Sequence, residues 1–312
     1  MTSEKLQILH KTNAIRALYD SFESRLGYKL IMREARHFGC YKDEYQRAHP
    51  LHSHLREMED VLLQELDLPE GSKVLDVGCG AGRVAVRMAK HGLFKARTFA
   101  VANGVQSRVN VHDCDYRDLR GNFANDSMDG IYSMETLVHA TDLQTMFREF
   151  FRVLKPGGHV AFHEYNHVGK ENAVDHVDRY ISLRRKYFFI RQGKLDKPAR
   201  AQAASDLVEL GENFNKDAAM FAGEMWGPGV MRRMLEQAGF VDVVIQDMSK
   251  NIRPNVRLFF QLAYVLFLVL STLRIEGRFT NACGAMYGWW GQDLWQYVAV
   301  TATKPFDGTT RS

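Results

Sequence analysis

The sequence predicts an α/β protein built on a largely parallel sheet, and three observations carry that prediction. A short apolar strand pattern, Lys73-Val74-Leu75-Asp76-Val77, runs straight into a turn holding Gly78, Gly80 and Gly82, then into a helical stretch. Strand and helix patterns alternate from there to residue 165, which implies crossover connections between parallel strands. Two strong turn signals, Pro69-Glu70-Gly71-Ser72 and Lys155-Pro156-Gly157-Gly158, punctuate that region.

The elements follow in order. Residues 1–68 read as a mixed-polar helical cap ending in HSHLREMEDVLLQELDL, whose apolar positions recur at three and four. Residues 69–165 form the core unit. After the first strand and glycine turn, a helix runs from Arg83 to His91 and stops at Gly92, a usual helix-ending residue. Val109–His112 and Gly130–Ser133 read as further strands. A helix over Thr141–Leu154 ends at the Lys155–Gly158 turn, and His159–Tyr165 is another strand. Residues 166–225 are polar, rich in Lys and Arg, and without strand pattern, so they read as a helical lid. Residues 226–312 complete the sheet: Gly227-Pro228 opens a helix over Gly229–Ala238, closed at Gly239, and strands follow at Val241–Ile245 and Gln296–Thr301. Between those strands lies Leu258–Leu270, whose thirteen apolar-rich residues fall short of the roughly 20 that a membrane span needs. It reads as a buried helix roofing an apolar pocket rather than as an anchor.

The 312 residues suit one large domain or a domain with a cap. Apolar residues at 46% and charged residues at 25% argue against disorder and fibrous repeats. The net charge, 41 − 37 = +4, is too mild for nucleic-acid binding without a concentrated basic face, and no N-P-P-Y-type segment is present. Cys40, Cys79, Cys114 and Cys283 are scattered with no C-x-x-C pair, which excludes a zinc ribbon or disulfide framework and fits a reducing compartment. The opening MTSEKLQILHKTN lacks the apolar core of a secretory signal. No metal site is expected, and neither is a transmembrane span. The expected location is cytoplasmic, with peripheral contact at an endoplasmic-reticulum or lipid-droplet surface.

The turn Asp76-Val77-Gly78-Cys79-Gly80-Ala81-Gly82 has the form D-x-G-x-G-x-G between a strand and a helix. Glycines there permit a sharp turn and close backbone approach to a ligand at the helix N-terminus. A pyrophosphate would suit that helix end, whereas an acid two residues before the first glycine suits a cationic ligand such as one carrying an ammonium group.

With these residues in view, the sequence resembles the class I S-adenosylmethionine-dependent methyltransferases, over LDVGCGAG, Asp115-Tyr116, the Gly130–Ser133 strand and the LKPGG turn. In more detail it is similar to the sterol 24-C-methyltransferases and related terpenoid C-methyltransferases. That likeness lies in Tyr132-Ser133-Met134-Glu135-Thr136-Leu137-Val138-His139-Ala140 and in Glu164-Tyr165. The family's aromatic N-terminal signature is reduced here to His37-Phe38-Gly39-Cys40-Tyr41. The resemblance implies a Rossmann-like fold and S-adenosyl-L-methionine as cofactor. It further implies a sterol- or terpenoid-like apolar substrate, and admits a homodimer. It places Asp76, Gly78, Cys79, Gly80 and Gly82 at the cofactor's methionine end, and Asp115 with Tyr116 at its adenine.

In this fold the second strand ends in an acid that binds the ribose, about 20 residues beyond the glycine turn. Here residues 77–112 contain no Asp or Glu, and Leu93-Phe94-Lys95-Ala96-Arg97 leaves no room for a strand after Gly92. A central strand and its acid therefore read as deleted.

Glu135, His139, Glu164 and Tyr165 are the candidate catalytic residues. Glu135 and His139 are four apart, a spacing that shares a face on a helical turn, just beyond a strand end where such sheets open their crevice. Methyl transfer from a sulfonium to an alkene carbon generates a carbocation, which ring faces and carboxylates stabilise before a base removes a proton. Glu135 or Glu164 would fill those roles, His139 would relay, and Tyr132, Tyr165 and Trp226 would supply aromatic walls. The basic stretch Arg179–Arg200, with Tyr187-Phe188-Phe189, reads as a solvated lid helix that also suits a membrane surface. Rival readings are an O- or N-methyltransferase on the same fold, and a methyltransferase-like protein disabled by the lost strand.

Overall fold

The computed structural model describes residues 13–15, 17–32, 35–42, 50–80, 82–90, 110–167, 177, 181, 182, 197–222, 227, 229–273, 275 and 279–306. Among these, five strands form one sheet. They are β1 (Val74–Asp76), β2 (Met128–Met134), β3 (Leu154–His167), β4 (Val241–Asp247) and β5 (Trp295–Thr303), in spatial order β1-β2-β3-β5-β4. β1, β2 and β3 are parallel, while β5 pairs antiparallel with both β3 and β4.

The helices are α1 (Phe22–Leu30), α2 (Leu51–Leu66), α3 (Arg83–Lys90), α4 (Leu143–Val153), α5 (Lys197–Asp217), α6 (Val230–Ala238), α7 (Ser249–Thr272) and α8 (Thr280–Trp290). Successive side chains of a strand face opposite sides, so β2 sends Ile131 one way and Tyr132 the other. Ile131, with Val160 and Phe162 of β3, meets Phe147 and Phe150 of α4 and Leu235 of α6. Tyr132 and Ala161 meet Leu62 and Leu66 of α2 and Met88 of α3. Helices thus cover both faces of these strands. Asp142 starts α4 by accepting from the Thr145 N–H at 3.0 Å, and Gly239 (φ 106°) ends α6.

Three expectations are corrected. Lys155-Pro156-Gly157-Gly158 is an irregular stretch inside β3 and not a turn before it. The register steps from Met128↔Leu154 to Gly130↔His159, so three extra residues bulge out, with Gly157 at φ 78°. Lys304, just past β5, holds them through Gly157 N–H to its carbonyl (2.8 Å) and its own N–H to the Gly158 carbonyl (2.9 Å). Second, residues 110–112 carry no strand. Third, Leu258–Leu270 is only part of α7, whose 24 residues start at Ser249 and pass through Pro254. Pro254 lies in the second turn, beyond the free N–H groups of the first, and removes one bond from the ladder. By length and composition alone α7 is apolar enough to cross a membrane, although its inner face is packed against the domain. The gap expected near Gly92, and Trp226 with most of the basic stretch 179–200, lie outside the described residues.

Candidate active site

The C-terminal ends of β1, β2 and β3 converge, and the segment 35–42 lies over them. At the tip of β1 the chain turns through Gly78 (φ 80°), Gly80 (φ 51°) and Gly82 (φ 81°), angles that other residues adopt only at a cost. A side chain at Gly78 would run into Thr136, whose Cγ2 lies 2.0 Å from where a Cβ would be. At Gly80 there is room: the nearest neighbour is Arg36 of the covering segment, 3.8 Å away. Asp76 is half-buried, and the Tyr132 hydroxyl donates to it at 2.8 Å. Burial pushes its carboxyl up to about 7 despite that hydrogen bond. The Cys79 thiol is also pushed up, to about 11, by burial, so it is not a thiolate nucleophile at neutral pH.

Glu135 leaves β2 in the left-handed conformation (φ 51°), which turns its side chain beneath the covering segment. Its Oε1 accepts from the Phe38 N–H (2.7 Å) and the Tyr297 hydroxyl (2.9 Å), and its Oε2 from the Tyr165 hydroxyl (2.6 Å). Burial raises its pKa, opposed by those donors and by the nearby His37 charge. Glu164 lies alongside. Its Oε1 accepts from the backbone N–H groups of Thr136 (2.7 Å) and Leu137 (2.6 Å), while its buried Oε2 has no partner among the described residues. Burial and the Glu135 charge push it up to about 8, against the backbone donors.

His139 closes the 3₁₀ turn Leu137–His139 and faces elsewhere. Its Nδ1–H donates to the Ala219 carbonyl at 2.8 Å, so Nε2 accepts from the Tyr19 hydroxyl at 3.0 Å. Burial lowers its pKa, which keeps the ring neutral. Glu135 and His139 therefore do not share a face, because the left-handed residue and the tight turn break the helical spacing. Asp115 is clasped by Arg117 Nε and Nη2, which outweighs its partial burial and lowers its pKa. Tyr116 packs against the main core.

Sequence reasoning missed a second buried group beneath the cap. His37 donates through Nδ1 to the Phe38 carbonyl (3.0 Å) and through Nε2 to Glu59 (3.3 Å), so it is an imidazolium. Burial alone would lower its pKa, but the Glu59 hydrogen bond and charge raise it. Glu59 also pairs with Arg83 (3.1 Å) and Arg87 (3.1 Å) of the helix that follows the glycine turn. The sequence assigns no role to Phe38, Thr136 or Tyr297 either. Their partners lie as far as 162 positions away, beyond any local pattern.

The "Methyltransferase domain" family description matches residues 75–162. An S-adenosyl-L-methionine-dependent Diels-Alderase of Talaromyces variabilis is 32% identical over 310 residues, covering 94% of this chain and 95% of the relative. The chain belongs to the S-adenosylmethionine-dependent methyltransferase family. A second such Diels-Alderase, from Neonectria sp., is 31% identical over 265 residues, 78% of this chain and 91% of that one. A sterol 24-C-methyltransferase of Aspergillus fumigatus is 30% identical over only 134 residues, 39% of this chain and 35% of that relative. Among solved structures, a 4+2 cyclase superposes with a TM-score of 0.61 at 18% identity, covering 87% of this chain and 88% of that one. The likeness supports the mostly parallel, Rossmann-like sheet expected from the sequence.

The family cofactor, S-adenosylmethionine, is tested by Asp76. A half-buried carboxyl that takes a phenol hydroxyl at the lip of an open glycine turn has no cation beside it among the described residues, and an ammonium group supplies one. The residues fit a methionine end at Asp76, Gly78 and Gly80. When bound, the cofactor supplies a sulfonium charge and a transferable methyl group.

Proposed function

We propose that this family member closes a ring by intramolecular Diels–Alder cycloaddition on an apolar polyene, without spending the cofactor's methyl group. The observation that carries this reading is the hydrogen bonding of the two neighbouring acids, Glu135 and Glu164. Glu135 has both oxygens occupied by donors, and Glu164 holds a proton at neutral pH with Oε2 unpartnered. Glu135 is occupied as an acceptor and so is poorly placed to take up a proton, whereas protonated Glu164 can donate a hydrogen bond.

The chemistry makes the same demand. In a cycloaddition, three π bonds become two carbon–carbon σ bonds and one π bond, with no proton lost and no redox change. The protein must fold the chain and draw electron density from the acceptor alkene. A hydrogen bond from Glu164 to a carbonyl conjugated with that alkene does the second. Rings of Phe38, Tyr165, Trp295 and Tyr297, packed with centroids 5.7–6.5 Å apart, offer an apolar wall for the first. Two relatives, matching 94% and 78% of this chain, carry the Diels-Alderase name.

The second reading is methylation of an alkene carbon in a sterol- or terpenoid-like substrate. The Glu135 cluster favours it, because a carboxylate ringed by Phe38, Tyr165 and Tyr297 also suits a carbocation. The two are separated by product mass. The chain is incubated with methyl-labelled S-adenosylmethionine and, in separate reactions, a linear polyene tethered to an electron-poor carbonyl-bearing alkene, and a sterol with a side-chain alkene. A cyclised product of unchanged mass, with no S-adenosylhomocysteine formed, supports cycloaddition. A labelled product with one S-adenosylhomocysteine per turnover overturns it.

A further inference from the structure

α7 has two faces with different fates. Ile252, Val256 and Phe260 are buried and fasten it to the sheet and to α8, and Phe267 and Leu270 continue that seam. Asn255 adds a hydrogen bond, accepting from the Gly39 N–H at 2.7 Å. The outer face is bare. Leu262, Val265, Leu266, Val269 and Leu273 follow one another at three- and four-residue spacing, with exposures from 45% at Leu266 to 69% at Val265. Isolated exposed apolar residues are ordinary, but five in a row along one stripe are not.

We propose that this stripe lies on an anionic lipid surface, with α7 parallel to the membrane rather than across it. The buried seam argues against spanning, because a helix fixed to the domain along Ile252, Val256, Phe260, Phe267 and Leu270 cannot be ringed by lipid. Charge selects the occupant. α7 contains no Asp or Glu from Ser249 to Thr272, and its N-terminal half exposes Lys250, Arg253 and Arg257. At 100° per residue these cations lie on the face away from the stripe, and an apolar face backed by a basic polar face is the make-up of a helix lying in an anionic lipid interface. A second copy of the chain docked on this face would bring no carboxylate from its own α7 to those cations. Placement adds a use: Phe259, one turn before the stripe, packs on Phe38 (5.9 Å between ring centroids), which touches Tyr165 and Tyr297. An apolar substrate held in a bilayer would thus meet the helix that backs the aromatic wall.

The test is co-sedimentation of the full chain with phosphatidylcholine vesicles, with and without phosphatidylserine. Sedimentation with the mixed vesicles is expected. Leu262→Asn with Val265→Asn abolishes it while circular dichroism and Tm stay unchanged, since both side chains are at the surface. Arg253→Gln with Arg257→Gln, an independent pair, weakens binding to the anionic vesicles about fivefold per charge lost. Failure to sediment with either vesicle overturns the proposal, as does sedimentation that both double variants leave untouched. A dimer seen by light scattering that Leu262→Asn with Val265→Asn dissociates also overturns it, by assigning the face to a second copy.

Discussion

The backbone N–H of Phe38 donates to the carboxylate of Glu135 across 2.7 Å, tying the covering segment to the end of β2 over a separation of 97 residues. The same carboxylate takes the hydroxyls of Tyr165 and Tyr297, so one side chain joins the cap, β3 and β5.

Truncating that side chain strands three donors in a buried site. Glu135→Ala is expected to cost about 3–5 kcal/mol, while Tyr297→Phe, which leaves two donors in place, costs about 1 kcal/mol. Urea denaturation at neutral pH measures both.

The glycines of the turn are not equivalent. Gly78→Ala must push Thr136 aside as well as hold φ 80°, and should destabilise the fold by about 3 kcal/mol or more. Gly80→Ala meets open space at φ 51° and should cost only about 1 kcal/mol. Comparing the Tm of the two variants decides this.

Glu164 and Asp76 set how the cofactor-free protein responds to pH. The folded pKa values of Glu164 (about 8) and Asp76 (about 7) lie above their ordinary ones. The folded state therefore binds more protons than the unfolded state, and stability falls as pH rises from about 4 towards 8. Glu164→Gln should flatten the slope up to pH 8, and Asp76→Asn up to pH 7, in urea titrations across that range.

Beneath the cap, Glu59 neutralises the His37 imidazolium and faces Arg83 and Arg87. Glu59→Ala leaves the buried His37 cation unpaired, while Arg87 keeps Asp60, and should cost about 3 kcal/mol. Burial works to raise the Glu59 pKa, but its cations bring it below the usual value, so its contribution is lost as pH falls through that lowered pKa. His37 has a raised pKa, so its share is full below its ordinary 6.5 and disappears as pH climbs through the raised value. Loss of both slopes in Glu59→Gln would bear this out.

Much of this fold is written locally. The β1 strand, the glycine turn and α4 announce themselves through period, capping and composition, because each is stabilised by contacts within a few positions. Lys155–Gly158 misleads because Pro and Gly signal a turn, yet groups offered by Lys304, about 150 positions on, hold the same residues beside β5. Leu258–Leu270 shows the apolar half of α7 but not its start, since Pro254 hides a helix that packing sustains. At the candidate site, the places of Asp76 and Glu135 at the ends of β1 and β2 were legible, and that of Glu164 in the following strand. Their protonation was not, because it depends on burial and on donors such as Tyr132, Tyr297 and the Leu137 N–H. Likewise the four-residue spacing of Glu135 and His139 suggested a shared face that the left-handed backbone at Glu135 denies.

The account rests on the cofactor's ammonium group meeting the ionised form of Asp76 at the open glycine turn, and calorimetric titration with S-adenosylhomocysteine at pH 6 and pH 8 tests it most directly. Binding should tighten from pH 6 to pH 8 as Asp76 ionises through about 7. Asp76→Asn should lose about 2 kcal/mol, roughly thirtyfold in affinity, along with the pH dependence. Binding that is absent at both values, or equal in wild type and Asp76→Asn, would contradict it.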